Sequence, residues 1–181
     1  MIKIIPVSNL GELNVDLQQI YIGSFPYEER REWNEIKELL HHPHFTLNEI
    51  MDNQELIGLI SIWNLSDFIF IEHFAMVESF RGKGVGSQVI KQILEAKPTR
   101  IILEVDKPTN ESTSRRITFY DRLGFSVCES NYWQPPYAAD KSKIKMMLMS
   151  FPDKILPGEF NEIKRQIYRH VYQLDESMNL E

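Results

Sequence analysis

Apolar positions along this chain recur with two periods, and the switches between them divide it into elements. Ile2–Val7 alternates loosely and meets Pro6, which has no N–H to give a ladder, so it reads as a short edge strand. Leu10, Leu13, Leu17, Ile20 and Tyr21 then fall at helical spacing as far as Gly23. Phe25–Arg30 breaks that pattern, and Trp33, Ile36, Leu39 and Leu40 form the apolar side of a second helix that stops before Pro43. Phe45–Met51 and Leu56–Trp63 have strand character around the polar turn Asp52-Asn53-Gln54, which predicts a hairpin. After Ser66-Asp67 a third antiparallel strand, Phe68–Val77, places Phe68, Phe70, Glu72 and Phe74 on one side.

The second half changes character. Val85, Val89, Ile90, Ile93 and Leu94 make one apolar helix face that Pro98 ends. Arg100–Val105 is a short, nearly continuous apolar run, as expected of a strand covered on both faces. Strand 68–77, helix 85–96 and strand 100–105 therefore predict a right-handed crossover. A helix over about Ser112–Leu123 follows, with Gly124 at its natural C-terminal stop and Phe125 behind it. Val127–Ser130 and Lys143–Met149 read as the last strands, with the aromatic, proline-stiffened stretch Asn131–Tyr137 as the loop between them. Phe160, Ile163, Ile167, Val171 and Leu174 mark a final helix from Pro157, a residue suited to a first turn. No repeat, low-complexity segment or linker interrupts the 181 residues, which predicts a single domain.

Composition narrows the function classes. A net charge of −6 argues against general nucleic-acid binding, which needs a basic face. The lone cysteine, Cys128, excludes an intramolecular disulfide and a Cys-based zinc site, and its place in a late strand reads as structural. No run is long enough to cross a membrane and the apolar start is too short for a signal peptide, so the default location is cytoplasmic. His41, His42 and His44 crowd around Pro43, a pattern that reads as a solvated turn more readily than as a metal site; no metal is expected.

The chemistry concentrates in Arg81-Gly82-Lys83-Gly84-Val85-Gly86-Ser87, directly after a strand and directly before a helix. Helix N-termini present N–H groups without intrahelical partners and a partial positive charge, which suits a phosphate. Glycine lets the main chain approach a ligand, and Arg81 and Lys83 add formal charge. The P-loop pattern is absent, and the dinucleotide pattern G-x-G-x-x-G would need glycine where Ser87 stands. A tight turn without a ligand remains the bland alternative.

Read with its flanks, Arg81–Gly86 resembles the R/Q-x-x-G-x-G/A signature of the Gcn5-related N-acetyltransferase (GNAT) family. Arg116–Phe125 resembles that family's second block, ending in FYxxLGF, although Arg116 stands where alanine is frequent and Thr113 where asparagine is frequent. The resemblance spans roughly residues 2–150, with the helix at about 157–175 an extension that either packs on the domain or mediates a homodimer. It implies an α+β fold: a mixed, mostly antiparallel sheet whose two parallel central strands splay apart, flanked by helices.

That resemblance also implies a donor and an activity. The donor is acetyl-CoA, with main-chain groups of Phe74, Met76 and Val77 pairing with the pantetheine amides. Arg81, Gly82, Lys83, Gly84, Val85, Gly86 and Ser87 would hold the pyrophosphate, and Asn110 would stand in for the missing asparagine. The activity is direct transfer of an acetyl group to a primary amine of a small molecule or peptide. Tyr120 would be the acid beside the thioester sulfur. Glu72, a carboxylate among phenylalanines, either has a raised pKa and accepts the amine proton or simply pairs with a cation. Phe25–Trp33, with Glu28 and Glu29, and the stretch 131–137 would wall the acceptor pocket; their bland readings are a solvated helix start and a hydrophobic lid. A non-catalytic acyl-CoA-binding sensor or interaction module on the same fold is the alternative.

Overall fold

The computed structural model describes residues 1–9, 11, 13, 15–96 and 99–174; the expected helix position Leu10 and the expected stop at Pro98 lie outside them. Among the described residues, seven strands, mostly antiparallel, and five α-helices make a mixed α/β fold. The chain falls into two compact units, Met1–Asn64 with Ile71–Pro98, and Leu65–Phe70 with Thr99–Glu181.

In the first unit the elements are β1 (Ile2–Pro6), α1 (Val15–Ser24), α2 (Trp33–Leu39), β2 (Phe45–Asp52), β3 (Glu55–Asn64), most of β4 (Phe68–Met76) and α3 (Val85–Ala96), with the strands in the order β1-β2-β3-β4. β1 is the edge strand its proline predicts, pairing antiparallel with β2 from Ile2↔Asp52 to Pro6↔Asn48. Asp52↔Glu55 closes the β2–β3 hairpin over Asn53-Gln54, and Asn53 takes the left-handed conformation (φ 54°) that such a turn needs and that asparagine tolerates. Leu17, Tyr21, Ile36, Leu47, Ile57, Leu59 and Trp63 are fully buried and form the core of this unit. α2 starts with a reciprocal cap in which Glu32 N–H donates to the Glu35 carboxylate at 2.7 Å.

β4 departs from the expected alternation. Phe68, Ile69, Phe70 and Ile71 are all buried, so the strand has no solvent face along this stretch. A strand alternates polar and apolar residues only where one face meets water, and the isoleucines on the second face satisfy a second apolar layer.

The second unit holds β5 (Arg100–Asp106), α4 (Glu111–Asp121), β6 (Ser126–Gln134), β7 (Ile144–Phe151) and α5 (Pro157–His170), with strands in the order β5-β7-β6. β5 is buried on both faces at Ile101, Ile102, Leu103 and Val105, as its composition predicts. Of the expected loop 131–137, only 135–137 lie outside a strand. β6 continues through Tyr132, Trp133 and Gln134, because the register passes from Cys128↔Leu148 to Tyr132↔Met146 and a bulge takes up the extra residues on β6. α5 buries Phe160, Ile163 and Ile167, and Glu159 ties its first turn to Leu156 N–H at 3.0 Å and to Arg100 at 3.0 Å.

β3 and β4 approach closely at Gly58. A Cβ there would come within 2.4 Å of the Ala75 carbonyl oxygen and 3.0 Å of the Met76 sulfur. Main chain cannot retreat as a flexible side chain can. Gly58→Ala is expected to cost about 1–3 kcal/mol of stability, read as a lower urea midpoint; an unchanged midpoint would show that β3 and β4 separate freely.

Candidate active site

The glycine turn owes its residues to backbone conformation rather than to crowding. Gly82 (φ +72°) and Gly84 (φ +80°) both occupy the left-handed region, and a Cβ at either would meet nothing within 4 Å. The turn follows a short 3-10 segment, Glu78–Phe80, and feeds straight into α3 at Val85. Gln88 N–H bonds the Gly84 carbonyl, which makes Gly84 the start of the helical ladder and leaves the amides of Val85, Gly86 and Ser87 as first-turn donors. Residues 81–84 are exposed. Arg81 folds back: its Nε donates to the Met76 carbonyl at 2.8 Å, anchoring the turn to the end of β4. Lys83 Nζ lies 5.7 Å from the Phe80 ring centre.

The three main-chain candidates on β4 separate into two sets. Val77 N–H donates to the Ile57 carbonyl at 2.9 Å and its own carbonyl accepts from Phe80 N–H at 3.0 Å. Ala75 presents its carbonyl toward Gly58 on the same edge. Strand geometry then aims the main-chain groups of Phe74 and Met76 at the opposite edge. Val77 is therefore corrected as a pantetheine donor, because β3 already uses its N–H, and the Met76 carbonyl accepts from Arg81 Nε.

Tyr120 sits in the last turn of α4. The chain stops the helix with Gly124 at φ +91°, Phe125 N–H reaching back to the Tyr120 carbonyl at 3.1 Å and Gly124 N–H to Asp121 at 2.9 Å. This is a Schellman cap, and it fixes the residues around Tyr120. The ring packs edge-on against Phe125 at 5.5 Å. Burial pushes the phenol up to about 12, only slightly opposed by Arg116, so it stays protonated at neutral pH.

Asn110 is the N-cap of α4. Its side-chain oxygen accepts from Thr113 N–H at 3.0 Å, while Thr113 Oγ1 accepts from Asn110 N–H at 3.1 Å. The two residues considered for the missing asparagine thus cap the helix together, and the Asn110 side-chain oxygen is committed to that cap.

Glu72 heads a buried polar cluster within the first unit. Its side chain is fully buried although its main chain is not. Arg31 Nε donates to Oε1 at 2.9 Å and Trp63 Nε1 to Oε2 at 2.8 Å. Burial alone would raise the carboxyl; the adjacent Arg31 charge and the two donors more than offset it, and the pKa is lowered. Of the two readings of Glu72, pairing with a cation is the one the structure bears out and the raised pKa gives way to a lowered one; a stabilised carboxylate with both oxygens engaged is a weak proton acceptor. Arg31 itself corrects the reading of Glu28–Arg31 as a solvated helix start, since it is 6% exposed. No local pattern marks Arg31; the signal was Glu72 itself, an acid on an apolar strand that requires a cation.

His73, on the same strand, donates from Nε2 to the Glu29 carbonyl at 3.1 Å, the only role a carbonyl permits its partner. Nδ1 then accepts from Ser61 Oγ at 3.3 Å. Among the described residues no group of three or more His, Cys, Asp or Glu is placed to hold a metal ion, and no helix is long and apolar enough to cross a membrane. His42 packs on Trp63 at 5.0 Å, and its Nδ1 accepts from His44 N–H.

The acetyltransferase (GNAT) family profile matches residues 14–125, which contain both the glycine turn and the Tyr120 block. The chain belongs to the GNAT acetyltransferase family. A solved GNAT-family protein from Bacteroides thetaiotaomicron is 30% identical over 96% of this chain and 99% of its own, with a TM-score of 0.87. That alignment carries the likeness past the family profile and through α5. More distant structures share the fold: a GNAT acetyltransferase from Elizabethkingia anophelis with acetyl-CoA bound (19% identity, 82% and 96% covered, TM-score 0.55) and a Bacillus subtilis acetyltransferase in complex with CoA (15%, 85% and 100%, TM-score 0.56). No curated protein matches.

Within this GNAT chain, His73 gives the first unit a pH dependence. Burial holds its pKa below the ordinary 6.5, outweighing the nearby Glu72 charge. The folded ring stays neutral while the unfolded ring protonates, so the unfolded state binds more protons and stability falls as pH drops below 6.5. The Glu72 contribution is lost only at lower pH, below the ordinary 4.5. Urea midpoints should decline between about pH 7 and pH 5, and His73→Gln should flatten that decline; an equal decline in the variant would assign it to other groups.

Proposed function

We propose that this GNAT protein transfers an acetyl group from acetyl-CoA directly to a primary amine. The observation that carries this is the pair of left-handed glycines, Gly82 and Gly84, opening onto the N-terminus of α3 in a chain that also has the Tyr120–Phe125 block. First-turn amides of Val85, Gly86 and Ser87 would bind the pyrophosphate, with Gly82, Gly84 and Lys83 around it. Phe74 and Met76 would pair with the pantetheine arm along the edge of β4 that β3 does not use. Arg81 would act by holding the turn against Met76. Asn110 would shape the region through the α4 cap.

Acetyl-CoA supplies an activated acyl group. The amine nitrogen must lose its proton to attack the carbonyl carbon; a C–N bond forms, the C–S bond breaks, and the leaving sulfur takes up a proton. Tyr120, protonated at neutral pH, is the proposed donor to that sulfur. The amine proton leaves through water rather than to Glu72, whose ion pair with Arg31 makes it a poor acceptor. A cleft of about 470 Å³ beside the end of β4, lined in part by Asp16, Ile20, Ser24, Leu56, Val77 and Glu78, carries acidic side chains that favour cations. A cytoplasmic location accords with the use of acetyl-CoA.

Acetyl-CoA turnover against a panel of amines, read as free thiol released, tests the proposal. Tyr120→Phe should lower kcat by roughly 10²-fold with a productive amine, and wild-type turnover in that variant would remove its role. Gly84→Val should weaken CoA binding at least tenfold by calorimetry, since valine resists positive φ. Tight CoA binding with no thiol release from any acceptor would instead favour a sensor.

A further inference from the structure

The segment joining α1 to α2 is attached to the strands through buried polar groups, and the attachments made by Arg31 and Glu29 converge on two adjacent residues of β4. Glu72 takes Arg31 through Nε at 2.9 Å. His73 takes the Glu29 carbonyl at 3.1 Å and packs its ring against Phe25 at 4.6 Å, nearly perpendicular. Arg31 N–H donates to the Tyr21 hydroxyl at 2.9 Å, tying the same segment back to α1. The Arg31 guanidinium also lies 5.8 Å from the Trp63 ring, whose N–H holds the other Glu72 oxygen.

We infer that Glu72 is a positioning residue: through Arg31 it locks residues 25–33 onto β4 as a preformed wall of the acceptor site. Buried ion pairs seldom improve on a well-packed apolar pair in stability, because desolvating both charges offsets their attraction. What such a pair does supply is geometric definition, since a guanidinium and a carboxylate bond in few orientations. A purely apolar contact would let the segment slide. Here Arg31 is fixed by its side chain to one element and by its N–H to another, in a segment whose Tyr27 is 46% exposed. The acceptor role of the wall rests on the acetyltransfer reading; the locking does not.

Backbone amide hydrogen exchange on the full-length protein without ligand measures the lock directly. Glu72→Gln and Arg31→Gln should each speed exchange across residues 25–33 by tenfold or more, while α3 amides and CoA affinity stay within about twofold. Arg31→Lys, which keeps the charge but not the fork, should fall between wild type and Arg31→Gln, and it supplies the measurement if a stronger variant does not fold. With a productive amine, Glu72→Gln should raise KM about tenfold, change kcat less than threefold and leave the pH–rate profile intact. Unchanged exchange in residues 25–33 would overturn the inference, as would a fall in kcat accompanied by loss of a pH limb, which would restore Glu72 as a base. Failure of every amine in the thiol assay would sink the acetyltransfer reading while leaving the exchange result to decide the lock.

Discussion

A carboxylate buried on an apolar strand must be neutralised, and much of the first unit is arranged around doing this for Glu72. The guanidinium of Arg31 and the indole N–H of Trp63 occupy its two oxygens. That requirement fixes where the chain between α1 and α2 runs, because Arg31 can reach the strand only if residues 25–31 follow one course. It also explains the charge state of the neighbouring histidine. His73 is neutral although an acid lies 3.8 Å away, because burial costs the imidazolium more than Glu72 returns.

The second constraint is backbone satisfaction at helix ends. α3 begins with two left-handed glycines that aim its first amides outward, and α4 ends with a third at Gly124. At Gly124 the orphan carbonyls are satisfied internally by a Schellman cap. At the start of α3 the donors are presented to an exposed turn. The same residue type thus does opposite things: it closes one helix on itself and, at the other, precedes first-turn amides that the helix does not use. The N-terminus of α4 shows a third outcome, since Asn110 and Thr113 consume each other's hydrogen-bonding capacity.

These two constraints reassign residues. Glu72, open between base and ion pair, is paired with Arg31, and Val77 N–H is a sheet donor to Ile57. Arg81, expected at the pyrophosphate, donates from Nε to the Met76 carbonyl. Tyr120 retains an environment suited to donation, because burial raises its pKa and keeps its proton in place.

The sequence by itself determined most of the elements, the glycine turn, the stop at Gly124 and the family, because each of these is written in local residue order: periodicity, φ-permissive glycines and short spacings. It could not determine the faces of β4, since whether a second apolar layer covers a strand depends on elements far away in the chain. It placed Tyr132 and Trp133 in a loop because the stretch 131–137 is aromatic and proline-stiffened, whereas pairing with β7 carries the strand across a bulge as far as Gln134. It left Glu72 open between base and ion pair, and hid Arg31 in a charged run. Only tertiary structure, by bringing Arg31 to Glu72 across 41 positions of chain, decided which way that carboxyl's pKa moves. The physical reason is that a charge's energy is set by its surroundings in space, and these are not local in sequence.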